Sequence, residues 1–203
     1  MTTRRSWIAV LFIVGSALFA LGAVPFYAEG VGLEVTAATF FLGSLFFTSA
    51  ALLQYREAAG GYLVWAPHDL AWLACAVQLA GTLWFNWSTG NAIRHNLTVV
   101  MSEERVWRPD ALGSIAFLVA SAIAWIDAAR ADADGQPKSR DWWIGAVNMG
   151  GSIAFGVSAV AAFIVPSTDE VWHAELSNLG TFAGALCFLV GAVMLLPRRT
   201  PAV

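Results

Sequence analysis

Six stretches of about 20 residues with almost no charged side chains dominate this sequence and restrict what it can fold into. They are Trp7–Tyr27, Val35–Tyr55, Leu70–Ser88, Ala111–Ala129, Trp142–Val165 and Leu176–Leu196. A helix of about 20 apolar residues crosses the hydrocarbon core of a bilayer, because it satisfies its own backbone hydrogen bonds there. The pattern predicts an all-α fold, a polytopic membrane helical bundle of six transmembrane helices, with residues 1–203 as a single transmembrane domain.

The composition agrees with a membrane protein. Hydrophobic residues make up 58% of the chain and charged residues 12%, against roughly 25% charged residues in soluble domains. The first run, which follows Arg4 and Arg5, could also be a cleavable signal peptide, but its length and a motif shared with the later runs favour a membrane span. The net charge of −3 and the lack of a basic patch argue against a nucleic-acid partner. We expect no disulfide between Cys75 and Cys187, since both fall inside predicted spans.

Lysine and arginine are unevenly distributed between the loops, and such residues are enriched on the cytoplasmic side. If the spans alternate in direction, one side carries Arg4, Arg5, Arg56, Arg130, Lys138, Arg140, Arg198 and Arg199. The other side carries Arg94, Arg105 and Arg108. The sequence therefore predicts a multi-pass protein of the inner (plasma) membrane with both termini in the cytoplasm and membrane lipids around it.

One motif occurs in every run: a glycine, a small residue next to it, and a phenylalanine four positions after the glycine. The copies begin at Gly15, Gly43, Gly81, Gly113, Gly151 and Gly184. Small residues allow helix backbones to approach closely in lipid, and we expect the phenylalanine to fill the space beside a neighbouring small residue. The motif is typical of helix packing rather than of chemistry.

The motif also indicates an internal repeat. The segment GSIAF is identical at Gly113 and Gly151, and Trp7 and Trp143 each stand eight positions before a motif glycine. Duplication of a two-helix unit explains both. The predicted hairpins cover residues 6–56, 66–130 and 141–198, and all three enter the membrane from the same side, as parallel repeats.

The segments FIVGSALFALG and TFFLGSLFFTSAALLQ resemble the two-helix YrhK-like domain of bacterial membrane proteins. The resemblance covers the first quarter of the chain, and the segments GSIAFGVSA and TFAGALCFLVGA show a weaker similarity to the same domain. It implies a bacterial helical membrane protein. The family has no established activity that would carry over.

Polar side chains recur at helical spacing in the third, fifth and sixth runs, and polar residues within a membrane face the bundle interior. They are Gln78, Thr82, Asn86, Asn148, Ser152, Asn178 and Thr181. One interpretation is hydrogen bonding between helices, at about 0.6 kcal/mol per bond. The other is a polar cavity or path that accepts a small neutral solute or a lipid headgroup.

No catalytic residue, metal site or cofactor is predicted. His95, His173 and Glu175 are the best candidates for zinc ligands, but their spacing matches no recognised zinc motif. No serine–histidine–aspartate set or phosphate-binding glycine loop occurs. Three hypotheses remain: a non-enzymatic scaffold, assembly factor or accessory subunit with a protein partner or a homo-oligomeric state; a passive facilitator or lipid-binding or small-molecule-binding protein; and a metal-dependent enzyme.

Overall fold

The computed structural model describes residues 2–60, 65–94, 97–132 and 137–197, and it is predominantly helical. The helices are α1 (Thr2–Gly22), α2 (Pro25–Val31), α3 (Leu33–Ala58), α4 (Leu70–Ala92), α5 (Val99–Ser102), α6 (Arg108–Ala131), α7 (Arg140–Ala161) and α8 (Ala174–Leu195). A π-helical turn, Glu103–Trp107, joins α5 to α6. Strands β1 (Ile164–Val165) and β2 (Glu170–Val171) form a short antiparallel hairpin before α8. The all-α fold predicted from the sequence is confirmed.

Side chains that accept backbone N–H groups fix where several helices begin. Asp69 accepts hydrogen bonds from the first turn of α4, Ser139 from that of α7 and His173 from that of α8. Such caps satisfy N–H groups that have no partner inside the helix. Gly32 ends α2 and precedes α3 with a φ of +84°, a conformation that favours glycine.

Five helical stretches are long and apolar enough to cross a bilayer. They are Thr3–Gly22, Leu33–Ala58, Val99–Ala131, Arg140–Ala161 and Ala174–Leu195. The protein is therefore compatible with a membrane, as the sequence predicts. Helix α4 has 23 residues, a length of about 34 Å, and it contains the polar residues Gln78, Asn86 and Asn91.

Several boundaries differ from the sequence prediction. The first span was expected to reach Tyr27, whereas α1 ends at Gly22 and α2 begins at Pro25. The helical spacing of Ile93, Leu97, Val100 and Met101 predicts a short helix on the outer membrane surface within residues 91–107. In the structure, Val99–Trp107 instead continues without a break into α6. Pro109 has no N–H and so cannot donate to the carbonyl four residues earlier, and the widened turn before it is π-helical. The fifth span was expected to reach Val165, whereas α7 ends at Ala161 and the chain enters β1.

The six long helices form a closed ring. Helix α1 packs against α3, α3 against α4, α4 against α6, α6 against α7, α7 against α8, and α8 against α1. At the end where α1, α4 and α7 begin, which we call the near end, Arg5 pairs with Glu57 at 3.2 Å. At that end Arg140 also donates to the carbonyl of Leu196 at 2.9 Å. The opposite end is called the far end.

Glycines meet where the helices of three pairs cross, and their backbones approach closely because no side chain separates them. The facing pairs are Gly15–Gly43, Gly81–Gly113 and Gly151–Gly184. In every pair, the phenylalanine four residues after one glycine packs against the other glycine. This is the contact that the motif predicts. A Cβ added at Gly15 would lie 2.7 Å from the ring of Phe47, so the space is already filled.

The motif phenylalanines meet at the centre of the ring and form what we call the six-phenylalanine cluster. Its members are Phe19, Phe47, Phe85, Phe117, Phe155 and Phe188, all buried. Those of α1, α4 and α7 form one triangle, with ring centroids 6.0 to 6.4 Å apart. Those of α3, α6 and α8 form a second triangle, with centroids 5.5 to 6.1 Å apart. The two triangles stack on one another at 5.2 to 5.6 Å.

Candidate ligand cavity

A cavity of about 620 Å³ lies between the six-phenylalanine cluster and the far end of the bundle. Its floor contains Phe19, Phe85 and Phe155, the triangle contributed by α1, α4 and α7. Its walls come from the start of α3, the end of α4, the π-helical turn and the start of α6, the end of α7, and the start of α8. A volume of this size accommodates a small organic molecule. We call it the central cavity.

Hydroxyl groups surround the central cavity above its aromatic floor. They belong to Thr36, Ser88, Thr89, Ser102, Ser114, Ser158, Ser177 and Thr181. The Ser88 hydroxyl donates to the carbonyl of Val106 at 2.8 Å, and the Ser158 hydroxyl donates to the carbonyl of Ser177 at 2.7 Å. These two serines therefore hold the cavity walls together, and the Ser88 oxygen can still accept a hydrogen bond from a ligand.

The π-helical turn sets one wall of the cavity. Trp107 lies in this wall, and its indole N–H donates to the carbonyl of Ala159 on α7 at 2.8 Å. Arg108, directly after the turn, pairs with Glu103 at 2.8 Å. Single π-helical turns within α-helices occur frequently at functional sites. Here the turn fixes the side of α6 from which Asp110 lines the cavity.

Asp110 and Arg94 are the charged residues among the described lining of the central cavity. Asp110 is partly buried in the wall, whereas Arg94 is exposed at the mouth. Within the described ranges, no hydrogen bond or ion pair satisfies the Asp110 carboxylate. A carboxylate in a mostly apolar wall is unfavourable without a partner, so this residue marks the part of the cavity with the greatest chemical selectivity.

A second, apolar cavity of about 590 Å³ opens on the outside of the bundle between α6 and α7. It shares Trp107 and Ser114 with the lining of the central cavity, and Gly156 leaves it open on the α7 side. We call it the lateral groove. Its apolar lining suits an alkyl or acyl chain.

Two of the polar residues singled out in the sequence, Asn178 and Thr181, line the central cavity. Thr181 contacts the Ser158 hydroxyl at 2.7 Å. The other five lie elsewhere in the helix packing. Their involvement in binding stays a prediction.

Two of those five residues, Ser152 and Asn148, contact a neighbouring helix. Ser152 is fully buried and contacts Ser121 at 2.8 Å, which links α7 to α6. Thr82 is fully buried in α4 and donates to the carbonyl of Leu79. Asn148 lies against Gly191 of α8. Gln78 and Asn86 are partly buried on α4.

The sequence analysis did not select Asp110, because this residue stands just before the predicted fourth span, Ala111–Ala129. The spacing between Asp110 and the nearest motif glycine would have indicated its position. Asp110 stands three residues before Gly113, and Thr181 stands three residues before Gly184. Since Gly113 and Gly184 are equivalent positions of the motif, the two side chains come to the same level of the bundle, where both line the cavity.

The histidines considered as zinc ligands do not form a site in the described structure. His173 accepts the N–H of Leu176 at its Nδ1 atom, at 3.3 Å, and so caps α8. His95 lies outside the described residues. Among the residues described, no group of three or more histidine, cysteine, aspartate or glutamate side chains is arranged to hold a metal ion.

Comparison with known proteins finds no matching family model, curated protein or solved structure. The geometry of the bundle and its cavity is therefore the basis for the functional argument.

Proposed function

We propose that the chain is a six-span protein of the inner membrane with both termini in the cytoplasm. Helix α4 would be the remaining span, and its place in the ring supports this, since α3 and α6 flank it. Its polar residues are less costly there because neighbouring helices cover much of their surface. The excess of lysine and arginine at the near end supports a cytoplasmic location for that end.

Its proposed role is that of a non-enzymatic scaffold, assembly factor or accessory subunit. The six-phenylalanine cluster carries this proposal, because its buried aromatic rings fill the axis of the ring. Apolar, tightly packed interiors do not admit hydrated solutes. The bundle is thus suited to holding its shape and presenting surfaces to lipids or to a partner.

We further propose that the ring arose from three copies of a two-helix unit related to the YrhK-like domain. Equivalent hydrogen bonds support this origin. Ser88 and Ser158 each stand seven residues after a motif glycine, and each donates to a carbonyl seven residues before the facing glycine. Gly22 occupies the corresponding position of α1 and packs against Phe40.

Solute flux into proteoliposomes tests the non-conducting role. We expect vesicles containing the protein to take up glycerol and urea no faster than empty vesicles, because the cluster blocks the axis. Faster uptake that depends on the protein would contradict the proposal and favour a facilitator.

Native mass spectrometry of gently extracted protein tests the scaffold role. A stoichiometric protein partner or a defined homo-oligomer would support it. A monomer that carries only a bound lipid or small molecule would contradict it and favour the second candidate.

The second candidate function is binding of a lipid or small molecule, and the central cavity favours it. The cavity is closed at its floor by aromatic rings and opens at the far end, so it suits binding better than passage. Fluorescence of Trp107, which lines the cavity, offers a direct readout. A ligand that enters should change this emission, and a Trp107→Phe variant should lose that change.

A further inference from the structure

We propose that the central cavity binds an ammonium group carried on an apolar body, with Asp110 as its counter-ion. This inference rests on the second candidate function, binding of a small molecule or lipid, and assigns the chemical class of the ligand. The argument starts from the carboxylate of Asp110, which lines the cavity and has no ion-pair partner among the described residues.

The aromatic side chains that line the cavity with Asp110 favour the binding of an organic cation rather than water. The floor consists of phenylalanine side chains, and Trp107 lies in the wall. Aromatic faces attract ammonium groups, and the attraction grows when the cation leaves water. A ligand cation would therefore gain both a charge-assisted hydrogen bond to Asp110 and contacts with aromatic rings.

The rest of the lining suits an amphiphilic molecule rather than an inorganic ion. An inorganic divalent cation needs several oxygen ligands that carry charge or strong dipoles. Here one carboxylate stands among neutral hydroxyls and many apolar side chains, and the other charged lining residue, Arg94, is exposed at the mouth of the cavity. Hydroxyl oxygens such as those of Ser114 and Thr181 can accept the remaining ammonium hydrogens, while the alkyl part contacts Phe19, Phe85 and Phe155.

Two sources could supply this chemistry, a free alkylamine or the headgroup of an amino-lipid such as phosphatidylethanolamine. A lipid would need a place for its acyl chain, and the lateral groove provides one beside the shared residues Trp107 and Ser114. A free alkylamine would need the central cavity alone. The two sources therefore differ in whether they depend on the groove.

Hexylamine, 1-hexanol and hexanoate, titrated into the full-length protein in maltoside micelles, test the proposal by calorimetry. We expect hexylamine to bind the wild type about tenfold or more tightly than hexanol, because a hydrogen bond to a charged group is stronger than a neutral one. Hexanoate should bind least. Equal affinities for hexylamine and hexanol would overturn the ammonium assignment but leave the cavity as a binding site. If neither compound binds, the second candidate function fails as well.

Asp110→Asn removes the charge with little change in shape. We expect it to abolish the preference for hexylamine while hexanol still binds. Asp141→Asn, an exposed change at the start of α7 near the other end of the bundle, is the matched control and should keep the preference. Hexylamine preference that survives in a folded Asp110→Asn protein would overturn the role of Asp110.

Native mass spectrometry of protein made in cells that contain phosphatidylethanolamine separates the two sources. If the wild type retains this lipid and both Asp110→Asn and Gly156→Leu lose it, the ligand is the lipid, because Gly156→Leu fills the lateral groove. If hexylamine binds the wild type and Gly156→Leu equally and no lipid is retained, the ligand is a free amine. Retention of phosphatidylethanolamine by Asp110→Asn as strongly as by the wild type would contradict the proposal.

Discussion

Glycines on the inward faces of the helices set how closely neighbouring backbones approach. The clearest case is Gly180 on α8, where an added Cβ would lie 2.8 Å from the carbonyl of Ala154 and 2.9 Å from the backbone nitrogen of Ser158. Backbone atoms cannot turn away as the end of a side chain can. A methyl group at this position would therefore force α7 and α8 apart.

We predict that Gly180→Ala lowers the stability of the bundle by about 2 kcal/mol, the usual effect of overpacking. Thermal unfolding in maltoside micelles measures this as a fall in the midpoint. The matched control is Gly156→Ala on α7, where nothing lies within 4 Å of an added Cβ. It should be neutral or stabilising by up to about 1 kcal/mol, because alanine favours a helix. Equal effects of the two changes would contradict the packing argument.

The sequence predicts residue contacts well where one motif carries both partners. The motif glycine leaves space beside its helix, and the motif phenylalanine fills the space beside the glycine of a neighbouring helix. The contact between Gly15 and Phe47 could therefore be anticipated. The motif spacing places Asp110 at the level of Thr181, but it does not show that Asp110 lines a cavity, because the other walls come from α3, α4, α7 and α8. A single sequence does not state which helices face each other.

At the scale of the elements, the connection between α6 and α7 is held by Asp132 and Ser139. The Asp132 carboxylate accepts the backbone N–H of Ser139 at 3.0 Å. Hydrogen bonds from the Ser139 backbone and hydroxyl hold the pKa of Asp132 below its ordinary value, with a smaller contribution from Lys138. Because the folded pKa is lowered, the contact stabilises the connection above the ordinary Asp range and is lost as the pH falls through the lowered value.

We predict that the Ser139 amide resonance, followed by NMR from neutral to acidic pH, titrates with a midpoint below about 3.9, the value of an unperturbed aspartate. Asp132→Asn should remove this titration. Asp127→Asn, a change of the same type within α6, should leave the midpoint where it was. A midpoint at or above the unperturbed value in the wild type would contradict the hydrogen bond.

The element boundaries show where sequence reasoning was limited. The fourth span was predicted to begin at Ala111, and Pro109 just before it agrees with a helix start, because proline is common at the first positions of a helix. The chain instead keeps its helical course through a π-helical turn, and Trp107 anchors that turn on Ala159. A tertiary contact thus decides the local structure, and the sequence near Pro109 does not contain it.

At the scale of the whole molecule, the six-phenylalanine cluster connects every helix of the ring. Phe117 is 2% exposed and contacts phenylalanines of α3, α4 and α8. We predict that Phe117→Ala costs about 3–5 kcal/mol, through lost burial and the cavity left behind. Thermal unfolding measures the change. Phe26→Ala, at a ring that is 81% exposed, should shift stability by no more than about 0.5 kcal/mol.

A comparable loss in the two variants would mean that the central rings do not hold the bundle together. Phe117→Leu provides a graded comparison, since it keeps much of the apolar volume and should cost less than Phe117→Ala.

The all-α fold class could be predicted from the six apolar runs. The convergence of the six phenylalanine rings could not be predicted, because hydrophobic periodicity assigns residues to the faces of a helix without giving the order of the helices around a ring.

The ring order also bears on how the chain is made. Five of the six contacts between neighbouring helices of the ring join long helices that follow one another in sequence, whereas the contact between α1 and α8 joins helices from opposite ends of the described chain. Each glycine crossing can therefore form soon after its second helix leaves the ribosome. Until α8 joins the ring, α1 and α7 each lack one neighbour, and the aromatic centre is open on that side. This incomplete intermediate is the stage at which a folding factor or chaperone would have a surface to recognise.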